Sequence, residues 1–581
     1  MSIKLERRSA ATNIQLPDNL HPLLRRIYQQ RAIESVSELE LSLGRLIKPD
    51  GLLGIESAVA LLHRHLEAGS KILIVADFDA DGATSCALAM LALSSCGAAE
   101  VDYLVPNRFE YGYGLTPEIV ELAIQRQPQL LVTVDNGISS LDGVNAARAA
   151  GIEVLITDHH LAASKLPAAE AIVNPNQPGC GFPSKCIAGV GVIFYVMLAL
   201  RGKLRECGWF SEREMLEPRM AELLDLVALG TVADVVALDH NNRILVSEGL
   251  RRIRAGRTRP GILALLEVAG RRAERISAAD LGFSLGPRLN AAGRLDDMST
   301  GIECLLAPDA ATARRLAVQL DSMNQDRKQI EAGMKERALA IVDQLSPAQE
   351  VTPAALCLHD ANWHEGVVGL VASRVKDRVH RPVIAFAVAG AGNAAGELKG
   401  SARSIHGFHI RDALDAIATR NPGLIRKFGG HAMAAGLSLE KRRLDEFTAA
   451  FIAEAERSLS EDQLRARVLS DGEVTVEDLR LEVAELLQQA GPWGQAFPEP
   501  LFDGRFNIVS QRKLAERHLK LTLSHPDAPQ QIIDAIAFNV EAEAWPAAEA
   551  SEIAIAYRLD GNEFRGRVSL QLRIEHILDS R

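Results

Sequence analysis

The sequence predicts an α/β protein whose first large domain is a doubly wound parallel sheet. Short, β-rich apolar runs alternate with helical stretches between residues 51 and 240, a pattern typical of buried parallel strands. A long helix, a second α/β pattern and a β-rich C-terminal region follow. The chain has 581 residues, and a length of this size is typical of roughly three or four domains.

Residues 1–50 are predicted to form a helical lead-in, because apolar residues recur there at helical spacing. The parallel-sheet domain is expected over residues 51–305. Its predicted strands cover 71–76, 101–105, 130–134, 154–157 and 171–173, and its predicted helices cover 83–93, 117–124 and 141–150. Sheets of this kind place their functional groups at the carboxyl ends of the strands.

A connecting helix is predicted over residues 306–348, since Asp309–Leu345 contains good helix formers, little glycine and no proline. A second α/β domain is expected over 349–457, with AALCLHD and PVIAFAVAG as strands. Residues 458–581 form the last predicted domain. Its five short strands with charged turns are typical of a small β-barrel such as an OB-fold: RFNIVSQRKL, HLKLTLSH, QIIDAIAFNV, EIAIAYRLD and VSLQLRIEHI.

Composition indicates a globular protein of a reducing compartment. No run of about 18 apolar residues predicts a transmembrane helix, and the N-terminus lacks the apolar segment of a secretory signal. The seven cysteines include no CxxC pair. We therefore expect free thiols, a cytoplasmic location and no association with membranes.

The net charge of −11 argues only mildly against a protein that binds nucleic acid. Such proteins usually carry a basic face. Acidic residues that hold metal ions, however, are neutralised by those ions. A local basic groove can also lie on an acidic chain.

Three apolar runs of the first domain end in acidic motifs. Runs that end at residues 76, 134 and 157 lead into DFDADG, DNG and DHH, and a fourth apolar run leads to Asp234. If each motif follows a strand, at least four carboxylates and two imidazoles meet at one edge of the sheet. Because unpaired carboxylates repel one another and are costly to bury, the sequence predicts a cluster of divalent cations. Carboxylate oxygens suit hard cations, and imidazole extends the preference toward Mn²⁺.

Two such ions, about 4 Å apart, hold the attacking and leaving oxygens of a phosphoryl displacement. The alternative for any single aspartate is a turn or a helix N-cap. Asp81 is the strongest candidate for an N-cap, since Gly82 and a helix follow it. Asp158 is a candidate for orienting His159 without binding an ion.

Further segments combine glycine with residues that suit phosphate. They are GPRLNAAGR at 286–294, WHEGVVGLVASR at 363–374, GSARS at 400–404 and GGHAMAAG at 429–436. Arginine binds phosphate through two parallel hydrogen bonds, glycine permits close backbone approach, and a helix N-terminus favours an anion. The alternatives are a helix end with surface arginines, and a structural histidine at position 431.

DFDADG, DNG, DHH and GTVADVV, in this order, resemble the motifs of the DHH phosphoesterase superfamily and depart from none of them. GSARS and GGHAMAAG resemble its DHH-associated domain. GPRLNAAGR, WHEGVVGLVASR and PNRFEYGYGL at 106–115 resemble its single-strand-specific exonucleases, and the resemblance covers roughly residues 50–575.

The resemblance implies roles for individual residues. Asp79, Asp135, His159 and Asp234 would hold one ion, and Asp77 and Asp135 would help to hold a second, with Asp135 as the bridge. His160 would face the scissile phosphate. Asp81 and Asp158 would support these ligands. Contacts to DNA are implied for Arg108, Tyr113, Arg288, Asn290, Ser373, Arg374, Arg403 and His431, among which Arg288, Ser373 and Arg374 would hold the 5′-terminal phosphate.

The expected function is two-metal hydrolysis of single-stranded DNA, with Mn²⁺ or Mg²⁺, in DNA repair and recombination. The 5′→3′ direction and the 5′-mononucleotide products follow from the resemblance alone, as do two partners, a single-strand binding protein and a helicase. We expect a monomer, with a passage between its two lobes that is too narrow for duplex DNA.

Two alternatives belong to other functional classes. The first is a DHH phosphatase acting on pyrophosphate, short oligonucleotides or a nucleotide second messenger, and the C-terminal barrel argues against it. The second is a non-catalytic replication scaffold, which the retained acidic positions disfavour.

The barrel is expected to bind the single strand. OB-folds do so through a basic groove and aromatic stacking. One predicted hairpin is crowded with basic residues: Arg505, Arg512, Lys513, Arg517, His518 and Lys520. A solvated face is the alternative. Phe506, Phe538 and Tyr557 are candidates for stacking on bases, with the barrel core as the alternative.

Overall fold

The computed structural model describes residues 4–11, 14–107, 111, 114–345, 353–389, 396–514, 518–540, 545–547 and 550–581. The chain divides into two compact units. One holds Leu5–Asp321 and Val468–Arg581, and the other holds Ser322–Arg467 with the N-terminal residues through Lys4. The parallel-sheet domain and the barrel therefore share a unit, and the predicted α/β architecture with its C-terminal barrel is confirmed.

The N-terminal segment differs from the predicted helical lead-in. It contains a strand, β1 (Lys4–Arg7), one α-helix, α1 (Pro22–Gln30), and 3₁₀ turns at Val36–Leu39, Leu43–Arg45 and Pro49–Gly51. The side chain of Ser35 accepts a hydrogen bond from the backbone N–H of Ser37, and Glu38 accepts one from the backbone of Ser35. Serine side chains compete for backbone hydrogen bonds in this way, so they favour short capped turns over a continuous helix.

Five parallel strands form the sheet of the first unit, in the order β3-β2-β4-β5-β6. They are β2 (Lys71–Ala76), β3 (Glu100–Leu104), β4 (Leu130–Val134), β5 (Glu153–Thr157) and β6 (Ala171–Val173). β2, β4 and β5 are buried along nearly their whole length, which explains their continuous apolar sequences. The strand order reverses between β2 and β4, and such a switch point opens a crevice at the carboxyl ends of the strands.

Helices pack around this sheet: α2 (Ile55–Glu67), α3 (Ala80–Ser95), α4 (Pro117–Ile124), α5 (Leu141–Ala149) and α6 (Gly189–Glu206). α3 follows the first acidic loop directly and is buried over most of its surface. Its small residues suit this position, because α6 packs closely against it.

A helical region extends the first domain: α7 (Trp209–Glu212), α8 (Leu224–Ala233), α9 (His240–Arg254), α10 (Pro260–Val268), α11 (Ala278–Asp280), α12 (Gly286–Leu295) and α13 (Ser299–Leu306). Leu281–Leu285 forms a π-helix, and Met220–Leu223 and Ala273–Arg275 form 3₁₀ turns. The prediction of a strand before Asp234 is wrong, because the apolar run lies in α8. Periodicity alone does not separate a fully buried helix from a buried strand.

The helix α14 (Ala310–Leu345) begins in the first unit and ends in the second, which starts at Ser322. The strands of the second unit are β7 (Leu356–His359), β8 (Val383–Val388), β9 (Glu397–Arg403), β10 (Lys427–Gly430) and β11 (Ala434–Glu440). They form a mixed sheet in the order β10-β11-β9-β8-β7, in which β7 and β8 are parallel. The sheet packs with α15 (Val368–Val379), α16 (Ile410–Arg420) and α17 (Leu444–Ser458) around a core that includes Phe386, Phe447 and Phe451.

Five strands close the predicted C-terminal barrel in the order β13-β14-β15-β17-β16. They are β13 (Phe502–Leu514), β14 (His518–His525), β15 (Ala528–Ala537), β16 (Glu552–Phe564) and β17 (Arg567–Ser580). Three elements precede them: β12 (Arg467–Ser470), a 3₁₀ turn (Val476–Asp478) and α18 (Leu481–Gln489). The strand β12 pairs with β1. Phe506 and Tyr557 are each 1% exposed and belong to the barrel core, whereas Phe538 is 51% exposed. The core therefore explains two of the three aromatic residues proposed for stacking.

The structure also bears on the cysteines and on the expectation about transmembrane helices. All seven cysteines are free thiols, as the absence of CxxC pairs predicts. Within the described ranges, no helix combines the length and the apolar character needed to cross a membrane.

Candidate metal centre

The acidic motifs meet at the switch point of the first sheet. Asp77 follows β2, Asp135 follows β4 and His159 follows β5, while Asp234 comes from the C-terminal cap of α8. Ligand atoms that lie within 4.8 Å of one another form three sets, which are Asp77–Asp79–Asp135, Asp135–His159–His160 and Asp81–His159–Asp234. The sequence-based expectation that these side chains converge therefore holds, although one of them arrives from a helix.

His159 lies at the centre of this cluster. Its Nε2 atom is 3.1 Å from Oδ1 of Asp135, 3.5 Å from Oδ2 of Asp234 and 4.0 Å from Oδ2 of Asp81. The Nε2 atom is buried and makes no hydrogen bond to another described residue. Ligands of one cation converge without bonding to each other, at about 2.0–2.2 Å from the ion, so this arrangement fits a divalent metal.

Electrostatic repulsion within the cluster supports the same conclusion. Burial and the charge of Asp79 raise the pKa of Asp81 to about 7. Burial and the neighbouring Asp81 raise the pKa values of Asp135 and Asp234 well above the usual range for aspartate. Without cations, some of these carboxylates hold protons, and divalent cations remove that repulsion. Oxygen and imidazole ligands in this proportion suit Mn²⁺ or Mg²⁺.

Two residues at the same place have a strained backbone. Asp135 has a φ angle of 63°, and Val235, the residue after Asp234, has a φ angle of 62°. Both angles lie in the left-handed region, which is uncommon for any non-glycine residue and particularly unfavourable for the β-branched Val235. A Cβ atom at Gly189 would lie 2.6 Å from the Cβ atom of Asp135. The surrounding packing thus holds Asp135 in a conformation that strain would otherwise oppose, as is common at functional sites.

Asp79, and not Asp81, caps α3. Oδ1 of Asp79 accepts hydrogen bonds from the backbone N–H groups of Asp81 (2.9 Å) and Gly82 (3.0 Å). Asp81 lies in the first turn and accepts N–H bonds from Gly189 (2.6 Å) and Val190 (2.9 Å) at the start of α6. The prediction of Asp81 as the N-cap is therefore wrong, because the cap residue must precede the helix to reach the free N–H groups of its first turn.

The two histidines of DHH have different environments. Oδ1 of Asp158 lies 2.8 Å from Nδ1 of His160, so the ring that Asp158 orients is His160, not His159 as predicted. Burial alone would lower the pKa of His160, but the hydrogen bond to Asp158 and the charges of Asp158 and Asp77 raise it to about 9. Burial and the charge on His160 lower the pKa of His159 to about 4. His159 is thus a neutral imidazole that suits a metal ligand, and His160 is a cation that suits an anionic oxygen.

The pKa of Asp158 completes this arrangement. Burial alone would raise it, but the hydrogen bond and the charge of His160 lower it overall. Asp158 also accepts the backbone N–H groups of His159 (2.7 Å), His160 (3.0 Å) and Ile138 (2.9 Å). The carboxylate therefore fixes the loop as well as the His160 ring, as supporting carboxylates of metal sites do.

GPRLNAAGR supports the acidic loop directly, a role that sequence reasoning missed. Oδ1 of Asn290 accepts a hydrogen bond from the backbone N–H of Ala80 at 2.7 Å. A Cβ atom at Gly293 would lie 1.9 Å from the carbonyl oxygen of Phe78. The signal was the run of small residues after Asn290, which permits close helix–loop approach.

Arg288 turns toward α14. Its guanidinium lies 2.8 Å from Oδ1 of Asp321, and it donates a second hydrogen bond to the carbonyl oxygen of Ser284 at 2.6 Å. DNA contacts of Arg288 and Asn290 remain predictions.

Within the second unit, the predicted phosphate-binding residues lie on α15, β9 and β10–β11. The guanidinium of Arg374 is exposed and lies 2.8 Å from Glu331. Arg403 donates to Oγ of Ser401 at 3.1 Å and to the carbonyl oxygen of Ala402 at 2.8 Å, and burial lowers its pKa. Ser373 is half-buried beside Arg374, and His431 is exposed between β10 and β11.

Gly369 brings α15 close to β9, because a Cβ atom there would lie 2.8 Å from both Arg403 and Ser401. Ser373 lies one helical turn after Gly369 and hence on the same face of α15. The structure thus brings Ser373 to the face that packs on β9. Its predicted contact with phosphate, like those of Arg374, Arg403 and His431, stays a prediction.

The basic barrel residues are only partly engaged with acids. Nζ of Lys520 lies 2.9 Å from Asp534, and Nζ of Lys513 lies 4.0 Å from the centroid of the Trp545 ring. Arg108, Tyr113 and Arg517 lie outside the described residues, so the contacts expected of them stay predictions.

Sequence profiles of three domain families match the chain. They are the DHH family N-terminal domain at residues 71–231, the DHHA1 domain at 349–457 and the RecJ OB domain at 470–576. These matches confirm the resemblance to the DHH phosphoesterase superfamily and its associated domain.

Full-length relatives agree with the domain profiles. The chain is 57% identical to the single-stranded-DNA-specific exonuclease RecJ of Dickeya dadantii, with 98% of each chain covered. It is 54% identical to the protein of the same name from Escherichia coli, with 99% of each covered. The crystal structure of RecJ in complex with Mn²⁺ from Thermus thermophilus is 27% identical with a TM-score of 0.78, covering 99% of this chain and 79% of that one. RecJ in complex with Mg²⁺ from the same organism is 26% identical with a TM-score of 0.73, covering 99% and 78%. The chain belongs to the RecJ family of the DHH superfamily.

Proposed function

We propose that the chain is a metal-dependent exonuclease that hydrolyses single-stranded DNA in the 5′→3′ direction to 5′-mononucleotides, in DNA repair and recombination. The observation that carries the proposal is the convergence of DFDADG, DNG and DHH at one sheet edge, joined by Asp234 from α8, with Asp135 shared by two of the three ligand sets. The full-length similarity to relatives named single-stranded-DNA-specific exonucleases supports the substrate and the reaction.

Asp77, Asp79, Asp135, His159 and Asp234 are the proposed ligands of two divalent cations, Mn²⁺ or Mg²⁺. Asp135 is the proposed bridge. When bound, the cations favour loss of a proton from water and neutralise charge on the phosphoryl oxygens. Asp81, which has a ligand atom within 4.8 Å of those of His159 and Asp234, is proposed to hold α6 against the site by accepting its two N–H bonds.

His160 is the proposed electrostatic partner of the scissile phosphate. Oδ1 of Asp158 engages Nδ1 and holds the ring in one orientation, and Nε2 is the atom proposed to donate toward a phosphoryl oxygen. A pKa near 9 keeps the ring positively charged at neutral pH. A preorganised cation at that place stabilises the charge that develops in the transition state.

The remaining predicted residues are proposed to hold the strand. Arg288, Ser373 and Arg374 would take the 5′-terminal phosphate, and Asn290, Arg403, His431, Arg108 and Tyr113 would contact neighbouring nucleotides. Guanidinium groups suit phosphate oxygens because they donate two parallel hydrogen bonds. The barrel is proposed to bind the trailing strand through its basic side chains.

A substrate panel tests this function. The chain is incubated with Mn²⁺ and one of four substrates: a long 5′-phosphorylated single strand, the same sequence as blunt duplex, a dinucleotide or pyrophosphate. We expect mononucleotides from the single strand alone. Cleavage of only the dinucleotide or pyrophosphate would establish a phosphatase instead, and binding of the strand without hydrolysis would establish a scaffold.

The position of a radioactive label resolves the direction. A label on the 5′ phosphate is expected to appear in mononucleotide from the first time point, while a 3′ label is expected in a descending ladder. The reverse pattern would contradict the 5′→3′ direction.

Partners, oligomeric state and location are further parts of the proposal. We propose a cytoplasmic monomer that works with a single-strand binding protein and a helicase. Light scattering of the purified chain measures its mass against the 62.9 kDa of one copy. Co-purification of either partner from nuclease-treated extract tests the association without bridging DNA.

A further inference from the structure

A dense concentration of positive charge lies on the first unit, in a sequence segment that belongs to none of the motifs discussed above. Eight arginines and only two glutamates occur between residues 251 and 275, on a chain whose net charge is −11. We define the arginine patch as Arg251, Arg252, Arg254, Arg257, Arg271, Arg272 and Arg275. Residues 251–275 fall between the matched profiles, which end at residue 231 and resume at 349.

Tertiary structure joins the two halves of the patch. The first half ends α9, and the second half surrounds the 3₁₀ turn Ala273–Arg275. Nε of Arg254 donates to the carbonyl oxygen of Ile276 at 2.9 Å, which holds the two halves together. The patch is therefore a continuous surface and not merely a basic stretch of sequence.

Acidic partners neutralise the patch only in part. Arg251 pairs with Glu248, Arg271 pairs with Asp280, and Arg272 and Arg275 share Glu563. Among the described residues, no acidic group forms an ion pair with Arg252, Arg254 or Arg257. Arg257 is exposed and Arg252 is half-buried. No acidic side chain of the described residues therefore competes with an incoming anion for these two arginines.

A cavity of about 370 Å³ adjoins the patch, and Arg254 lines both. Its walls come from the end of α8, from the π-helix and from the segment between α18 and the barrel, including Val235, Phe283, Gln489 and Trp493. Phe283 is 85% exposed and Val235 is 63% exposed. π-Helices often occur at functional sites, and Val235 directly follows Asp234 of the metal centre.

We propose that the arginine patch and this cavity form a second binding surface for single-stranded DNA, with phosphates on the arginines and one base against Phe283. The proposal rests on the proposed function. A polyanion fits the excess of guanidinium groups, and a base fits a cavity that combines an exposed ring with amide groups. An acidic protein would match the charge but would leave the aromatic wall and the amides unexplained.

Two variants separate the phosphate contacts from the base contact. Affinity for a fluorescent single-stranded dT20 is measured without divalent metal over a range of salt concentrations. For a single strand, each lost phosphate contact reduces the magnitude of the negative slope of log K against log salt concentration by about 0.7. The double variant Arg252→Ala with Arg257→Ala should therefore have a slope whose magnitude is smaller by about 1.4. Lysine at both positions should restore most of the slope, because it keeps the charge.

Phe283→Ala should weaken binding roughly 5- to 150-fold without changing the salt slope, because a lost stacking contact has no counterion term. Phe283→Trp should restore the affinity. The matched control is Arg205→Ala with Arg213→Ala, two arginines of the same unit that pair with Glu217 and the Trp209 ring away from the patch. Circular dichroism melting confirms that each variant folds.

The outcomes distinguish this inference from the proposed function. If wild-type protein degrades the oligonucleotide with Mn²⁺ but the patch and Phe283 variants bind it with unchanged affinity and slope, the second surface is refuted and the nuclease stands. If wild-type protein binds through the patch but degrades no strand, the second surface stands and the nuclease is refuted. An equal loss in the Arg205/Arg213 control would also overturn the inference, since any surface arginine would then suffice.

Discussion

The two five-stranded sheets place their polar residues in opposite ways. In the first sheet all strands are parallel, β2, β4 and β5 are buried, and the polar groups follow the strand ends, where Asp135 and Asp158 are each 1% exposed. In the second sheet, β9 and β11 alternate buried with more exposed residues. Ser401 and Arg403 therefore project from the body of β9 and not from a loop beyond it.

The difference predicts how strongly each group of polar residues depends on a bound ion. Buried carboxylates that repel one another need cations, because water is not there to screen them. A partly solvated arginine or serine can bind phosphate independently of its neighbours, because its hydrogen bonds to phosphate do not require a bound cation. Substitutions at the first sheet should consequently cost far more activity than substitutions at the second.

Asp135→Asn should give the largest effect. The amide cannot bridge two cations, so the rate of hydrolysis should fall about 1,000-fold or more. The same change removes a repelled carboxylate and should raise the Tm of the metal-free protein. Asp142→Asn, an exposed acid in the first turn of α5, is the control. Retained nuclease activity in Asp135→Asn would remove the contrast between the sheets.

Gly293→Ala tests whether the acidic loop must be placed precisely by its neighbours. The added methyl group overlaps the carbonyl oxygen of Phe78 and should displace the loop, lowering kcat about 100-fold. Gly202→Ala is a matched helical control, because a Cβ atom there meets nothing within 4 Å. Equal rates for the two variants would show that the loop tolerates displacement.

Arg374→Ala tests the second sheet and its packed helix. Loss of one guanidinium should weaken recognition of the 5′ phosphate about 10-fold, mainly through KM. The preference for a 5′-phosphorylated over a 5′-hydroxyl strand should shrink accordingly. Arg378→Ala, an exposed arginine on the same helix, should keep the preference. A loss on the order of 1,000-fold in Arg374→Ala would mean that the second unit contributes as much as the first.

The pH dependence of stability gives the smallest expected effect. In metal-free protein, the raised pKa values of Asp81 (about 7) and His160 (about 9) mean that the folded chain keeps protons which the unfolded chain has released. Stability present at pH 6.5 is therefore lost as the pH rises toward 9, by on the order of 5 °C in Tm. His159, with its lowered pKa, acts in the opposite direction only below pH 6.5.

Saturating Mn²⁺ should reverse this trend, because metal binding requires ionised carboxylates and improves with pH. Melting curves at pH 6.5, 7.5 and 8.5, with EDTA or with Mn²⁺, measure both slopes. Parallel slopes under the two conditions would show that the buried acids do not hold the ions.

Much of the fold was accessible from the sequence because local patterns carried it. The continuous apolar character of β2, β4 and β5 reflects burial on both faces, and the alternation in the barrel strands reflects burial on one. The acidic motifs were recognisable because they interrupt these runs abruptly. The apolar run before Asp234 led to a wrong prediction of a strand, because α8 is buried on all sides and shows no polar face.

Parts of the site were inaccessible because they depend on contacts between distant segments. Nothing local to Gly293 indicates that Phe78 lies against it, and nothing local to Asp81 indicates the N–H groups of α6. The N-cap of α3 has a local origin instead: Asp79 and Asp81 are both plausible caps in sequence, and the position of the first helical turn decides between them.

The α/β class, the order of the domains and the acidic motifs that meet at the site could be read from the amino-acid sequence, because periodicity and residue type are local properties. Three further features required the packed structure: Asp234 comes from a helix, Asn290 supports the acidic loop through Ala80, and Arg254 joins two arginine clusters through the carbonyl oxygen of Ile276. These features depend on how buried segments approach one another. That approach is set by close packing over long sequence separations, which a linear pattern does not encode.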